Sequence, residues 1–302
     1  MSVEDAKRNM QGLVVTEQRA MCSPKGWIDP KKMPYTNRST QQPVICGMES
    51  PILSPALLHT LERGEGSLSL LFMHYFGGSA QEWQPLFSRL ASQFHCLAVD
   101  MPGHGESPDT GFSVDDMADA VLQLIADRKL TRFVLIGHSM SGKVALALAA
   151  RQPAGLEALL LVAPSPPRPE PIPDADRQQM LDTHGQQQAA SDTAAKITAL
   201  SITDGDREQI IQDNLRTSPA AWTAWLTRGS REDISDRMSG VEVPVHILAG
   251  TADRALAASV QPELTLPYLP GATFETLNGT GHLIPYEAPD ALAQFIIKKI
   301  GV

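Results

Sequence analysis

The sequence predicts an α/β fold, a mostly parallel sheet with helices on both faces, from three observations. Short apolar runs recur along the chain, segments of helical apolar spacing lie between them, and glycine-rich turns close several of them. The runs are LSLLFM at 68–73, Phe94–Val99, Phe133–Ile136, Ala158–Val162, Val243–Leu248 and Phe274–Leu277. Helical spacing runs from Gln81 to Gln93 through Trp83, Leu86, Phe87 and Leu90, and recurs at Val114–Arg128, Lys143–Ala150 and Pro289–Ile300.

Two further strands, around Pro43–Met48 and Leu57–Glu62, open the sheet, with RGEGS turning into the next. Residues 1–42 are polar and broken by Pro24, Gly26, Pro30 and Pro34, so they read as an N-terminal extension to a domain spanning 43–302. The proline-rich stretch at 164–173 interrupts the alternation. The polar, alanine-rich helical sequence that follows, to about Met238, predicts a small helical cap inserted at about 165–240.

Of 302 residues, 42% are hydrophobic and 20% charged, as expected of a globular enzyme-sized chain rather than a disordered one. A net charge of -9 argues against nucleic acid or an anionic membrane as partner. The start MSVEDAKRNM and the lack of an apolar run of about 18 residues give no expectation of a secretory leader or a helical span, so a cytoplasmic location is expected. Cys22, Cys46 and Cys96 form no close metal-ligand pattern, and Cys96 in FHCLAV reads as core. No metal or cofactor is expected, and the expected partner is a small-molecule substrate.

Gly137-His138-Ser139-Met140-Ser141-Gly142 lies between a strand and a helix, the context that exposes a serine hydroxyl at a sheet end. Serine is a weak nucleophile without a base, so a histidine from elsewhere is required. His282, in NGTGHLIPYEAP after the last strand, meets that need, because imidazole exchanges a proton near neutrality. Asp253, at the strand end in GTADRAL, is the candidate to orient the ring, ahead of Asp236 and Glu287. The order Ser139, Asp253, His282 is the one expected when this constellation sits on such a sheet. His138 reads as structural, and so do His74, Asp100 and His104. The GxxxxGK spacing that ends at Lys143 hints at a phosphate loop, but Val144 stands where a magnesium-binding hydroxyl is needed.

Taken with HYFGGS at 74–79, DMPGHGES at 100–107 and GTAD at 250–253, these motifs resemble the α/β-hydrolase superfamily over roughly 43–300, especially small serine esterases and cofactor-free haloperoxidase-like members. The resemblance implies an α/β-hydrolase sheet with a helical cap, and an oxyanion hole made by the backbone N–H groups of Phe76 and Met140. The chain departs from the family pattern at two glycine positions, where it has Tyr75 and Ser141. Tyr75, Trp222 and Trp225, with Met180 and Met238, are candidate substrate contacts. A metal-independent hydrolase of small carboxylic esters or lactones is the first expectation. Amide or carbon–carbon bond hydrolysis and noncatalytic ligand binding are the alternatives.

Overall fold

The computed structural model describes residues 58–301; the N-terminal extension and the strand expected at Pro43–Met48 lie outside them. Seven strands form one sheet: β1 (Thr60–Arg63), β2 (Ser69–Met73), β3 (His95–Val99), β4 (Phe133–His138), β5 (Leu156–Val162), β6 (Val245–Gly250) and β7 (Thr273–Leu277). Their order is β1-β3-β2-β4-β5-β6-β7. Only β1 is antiparallel to its neighbour, as a strand joined to the sheet edge without a crossover helix can be.

The period-2 alternation of the strands divides the core into two layers. Leu71, Met73, Leu97, Val99, Leu135 and Leu161 face one side, against α2 (Val114–Asp127) and α3 (Met140–Ala149). Leu70, Phe72, Ala98, Ile136 and Leu160 face the other, against α1 (Gln84–Leu90) and α9 (Pro289–Ile300), which contribute Leu86, Phe87, Leu90, Leu292, Phe295 and Ile296. Central strands buried on both faces therefore read as unbroken apolar runs. Truncating a side chain such as Leu135 to Ala would cost about 2–5 kcal/mol.

Three of the boundaries that differ from the sequence expectation have a local physical reason. The segment expected as one helix from Gln81 opens with a 3-10 turn at Ala80–Trp83, and α1 starts afresh at Gln84 with Pro85 in its first turn, where a missing N–H is harmless. Pro244 cannot donate to the ladder, so β6 begins at Val245 rather than Val243. α3 starts at Met140, directly after Ser139; all ten of its residues are buried, so no polar face marked its first turn.

Between β5 and β6 lie α4 (Asp174–Thr183), α5 (Gln187–Ile197), α6 (Asp204–Arg216) and α7 (Pro219–Thr227), and this inserted segment, the expected cap, meets the loop after β2 through Asp213 on Ser79 and Trp222 on Phe76. The roots of this cap are held by Lys143 of α3. Its fully buried ammonium donates to the carbonyls of Arg168 at 3.1 Å and Glu232 at 3.0 Å, with those of Gly229 and Ser230 at 3.4 Å. Burial pulls its pKa down to about 8. The lysine of the GxxxxGK spacing is thus spent on the protein's own carbonyls.

The turn from β4 into α3 is packed to contact on every side. Ser139 has φ 50°, ψ -115°, a conformation costing a non-glycine residue about 1–3 kcal/mol. A Cβ on Gly137 would lie 2.6 Å from the Ser141 carbonyl oxygen, and one on Gly142 would lie 2.5 Å from Pro164 Cβ. Ser141 is fully buried, and its hydroxyl donates to the His74 carbonyl at 2.5 Å, bridging this turn to the loop after β2. Ser141→Gly is expected to lose about 1 kcal/mol with that bond. Ser141→Val, which adds a branched carbon where no volume is free, is expected to lose about 1–3 kcal/mol more. Thermal melting of the two variants beside the parent measures the difference, and equal melting would show the turn to be roomy.

Candidate active site

Ser139 stands at the C-terminal end of the central strand β4, the one partly exposed residue in a buried turn. Its N–H donates to the Val162 carbonyl at 2.9 Å, and its own carbonyl accepts from Gly142 at 2.8 Å and Ser165 at 2.9 Å. The strained backbone is thereby fixed from β5, the segment after it and the first turn of α3. The Ser139 hydroxyl has no hydrogen-bond partner among the described residues, and its oxygen is left free at the surface of the turn.

His282 comes from the loop after β7 and is 3% exposed. Its Nδ1–H donates to Asp253 Oδ2 at 2.7 Å, which leaves Nε2 with the lone pair. Asp253, at the end of β6, takes two more bonds on Oδ1, from the N–H groups of Ala255 at 2.8 Å and Leu256 at 2.9 Å. Burial would raise the Asp253 pKa, but the His282 charge and these donors outweigh it and hold the carboxyl below its usual range. For His282, burial acts downward, and the charge and hydrogen bond of Asp253 are the largest opposing causes, so the ring sits above its ordinary value.

His282 is carried to the β4 turn by its backbone. Its carbonyl accepts from His138 Nε2 at 3.0 Å, the two rings lie 5.0 Å apart, and its N–H donates to Ile197 at the end of α5. Glu287 is spent on the same loop, accepting from the N–H groups of Gly281, Leu283, Ala199 and Leu200 at 2.8–3.1 Å. Asp236 is exposed in a 3-10 turn, with no hydrogen bond to His282.

Neither the Phe76 nor the Met140 N–H has a hydrogen-bond partner among the described residues. Met140 is the first residue of α3, where the helix dipole is positive and the N–H has no intrahelical acceptor. The loop carrying Phe76 is shaped by His74, whose Nδ1–H donates to the Tyr75 carbonyl at 2.7 Å while Nε2 accepts from Met101 at 2.9 Å. His104 donates from Nδ1 to the Pro102 carbonyl, and Asp100 accepts from Ala80, Glu106 and His59, so both brace the loop after β3.

The three aromatic candidates are placed differently. Trp222 stacks on Phe76 with ring centroids 4.3 Å apart and donates to the Met180 carbonyl at 3.0 Å. Trp225 lies 6.3 Å from Phe76 and under the Lys143 ammonium. Tyr75 is buried in a cluster with Ala190, Ala194, Ile197, Ile210, Leu283 and Tyr286, where body and cap meet. Met238 is buried in the main core. Sequence reading missed Glu82, a fully buried carboxyl touching both His138 and the Tyr75 N–H. Helical spacing gives no signal for it, because Glu82 lies in the 3-10 turn before α1 and its partner is 56 residues away.

Among the described residues no group of His, Cys, Asp and Glu is suited to hold a metal ion, and no helix is long and apolar enough to cross a membrane.

Comparison with known proteins agrees with this architecture. The chain is 26% identical over 234 residues to 2-(acetamidomethylene)succinate hydrolase of Mesorhizobium japonicum, covering 71% of this chain and 84% of that one. It is 37% identical over 112 residues to pimeloyl-[acyl-carrier protein] methyl ester esterase of Pectobacterium carotovorum, 37% of this chain and 42% of the esterase. With Protein PHYLLO, chloroplastic, of Arabidopsis thaliana it shares 31% identity over 121 residues, 37% of this chain and only 7% of that protein. Among solved structures, bromoperoxidase from Bacillus anthracis superposes with a TM-score of 0.76 at 16% identity, over 81% of this chain and 95% of that one. The enol-lactonase from Burkholderia xenovorans LB400 gives 0.70 at 22%, over 81% and 96%. Residues 70–295 match the alpha/beta hydrolase family, and the chain belongs to it.

Proposed function

We propose that the chain is a metal-independent serine hydrolase of small carboxylic esters or lactones, with Ser139 as nucleophile, His282 as general base and Asp253 as the acid that orients it. One observation carries this reading: a partly exposed serine in a strained strand-to-helix turn, whose preceding residue His138 holds the carbonyl of a histidine bonded through Nδ1 to a carboxylate at 2.7 Å. The methyl ester esterase and enol-lactonase named above support the ester class.

His282 Nε2 takes the Ser139 proton as Oγ attacks the carbonyl carbon. The developing oxyanion is received by the N–H groups of Phe76 and Met140, aimed where charge appears only in the transition state. The imidazolium, stabilised by Asp253, returns the proton to the leaving alcohol. Water, activated by the same ring, then releases the acid from the acyl-enzyme. The Phe76–Trp222 stack forms the wall beside the oxyanion, and the substrate's apolar part packs against it.

Ser139→Ala is expected to fold as the parent does, with relief of backbone strain in neither, and to lose ester turnover and fluorophosphonate labelling together. Intact-mass spectrometry and p-nitrophenyl acetate hydrolysis check both, and ordinary turnover by the variant would remove Ser139 from the reaction. Asp253→Asn is expected to lower kcat by about 10³–10⁴-fold, because the Ala255 and Leu256 N–H groups claim the one amide oxygen and turn the NH2 toward Nδ1, which favours the wrong tautomer and gives the imidazolium no anion. Asp236→Asn is expected to leave it intact, and initial rates of the two variants that rank the other way would reassign the acid. Exhaustive chelation is expected to leave the rate unchanged, since no step calls for metal-activated water. A loss reversed by one equivalent of a metal would point to a different mechanism.

A further inference from the structure

The Glu82–His138 contact lies directly beneath the candidate site, and both side chains are completely buried. Proton counting at this contact is constrained by what surrounds it. His138 Nε2 faces the His282 carbonyl at 3.0 Å, and a carbonyl only accepts, so Nε2 carries a hydrogen. Glu82 Oε2 faces the Tyr75 N–H at 3.1 Å, and an amide N–H only donates, so Oε2 accepts. One proton remains for the bond between Glu82 Oε1 and His138 Nδ1. It resides either on oxygen, giving two neutral groups, or on nitrogen, giving a fully buried ion pair.

The surroundings favour the neutral form. The groups facing the pair are Tyr75 and His74 from the loop after β2, Trp83 beside Glu82, and His282 from the loop after β7. His74 and His282 draw the Glu82 carboxyl downward, and Asp253 and Glu287 draw His138 upward, but the burial of the pair outweighs each of them. Burial raises the Glu82 pKa to about 8 and drives that of His138 well below its ordinary value, with the His282 charge pushing His138 the same way.

We propose that Glu82 and His138 are positioning residues for the reaction, an uncharged acid–imidazole pair that ties the Tyr75–Phe76 loop, the Ser139 turn and the His282 loop into one rigid unit. The inference rests on the serine hydrolase reading for its catalytic consequence, and on the hydrogen-bond geometry and complete burial of the pair for the protonation state. Glu82 Oε2 holds the peptide preceding the Phe76 N–H. His138, adjacent to Ser139 in the chain, holds the carbonyl of the residue that removes the Ser139 proton. A shift of one loop relative to the others is therefore opposed by a bond inside a dry core, where an unpaired polar group is expensive.

The test compares Glu82→Gln with Glu82→Leu. Glutamine reproduces the neutral acid, with its amide N–H donating to His138 Nδ1 and its carbonyl accepting from Tyr75; leucine keeps bulk and removes both bonds. Expected are a kcat for Glu82→Gln within about threefold of the parent and an unchanged acid limb of kcat/KM. Glu82→Leu is expected to lower kcat by about 10²-fold with little change in KM, and fluorophosphonate labelling of Ser139 slows in parallel. Circular dichroism and melting confirm that both variants are folded. In the parent, ¹⁵N resonances of His138, assigned by their loss in His138→Gln, are expected to show Nε2 protonated and Nδ1 unprotonated from pH 6 to 7.5.

Two outcomes overturn the proposal. If Glu82→Gln fails as badly as Glu82→Leu, or if its acid limb moves downward as loss of an anion near His282 requires, the pair is ionic; doubly protonated His138 says the same. If folded Glu82→Leu retains the parent kcat, the pair positions nothing. A parent chain that neither labels at Ser139 nor hydrolyses any ester sinks the serine reading and the positioning role together, while the ¹⁵N result still decides the protonation state independently.

Discussion

The constraint on which the rest of this structure depends is the backbone of Ser139. A residue with a side chain is held at φ 50°, and the chain supplies the compensation nearby: three backbone bonds to Val162, Gly142 and Ser165, glycines at 137 and 142 where any Cβ would collide, and the buried Ser141 hydroxyl on the His74 carbonyl. A strained element persists only where its surroundings over-determine it. Here they also fix direction, since β4 and α3 cannot change their mutual angle without breaking packing in both core layers.

The same economy of buried polar groups appears wherever a loop must be kept in place. Lys143, Arg177 and Glu287 each bond several backbone groups, most of them outside helices and strands, and Glu82 bonds the Tyr75 N–H. Irregular segments carry N–H and carbonyl groups that water would otherwise satisfy. Covering the site with a cap removes that water, and these side chains stand in for it. Ser79 and Asp213 provide a further link, a 2.8 Å bond between the loop after β2 and α6 of the cap.

How much of this was legible in the sequence depends on whether a feature is local. The sheet was readable because strands buried on both faces leave apolar runs bounded by turns, and Ser139, Asp253 and His282 could be named because each sits in a short motif at a strand end. The N-terminal turn of α3 was not readable, because a helix buried on all sides has no polar stripe. Nor were the roles of Glu82 and Lys143. An acidic or basic side chain is read by default as solvated, and only contacts 56 residues apart, from Glu82 to His138, or 25 and 89 apart, from Lys143 to the cap roots, show that these are interior. The departure at Ser141 was visible as a letter, but the carbonyl it satisfies belongs to His74, 67 residues earlier.

The attachment of α5 to the His282 loop has a consequence for how such proteins diversify. The His282 N–H ends on the Ile197 carbonyl, and Glu287 grips Ala199 and Leu200 with the same carboxylate that grips Gly281. The cap is thus no interchangeable module set on a finished scaffold: its residues 197–200 form part of the mounting of the imidazole. On the serine hydrolase reading proposed above, exchange of cap sequences between relatives, by recombination or by design, transfers a working specificity only when the crossover points spare that mounting, and chains cut within it inherit a displaced His282.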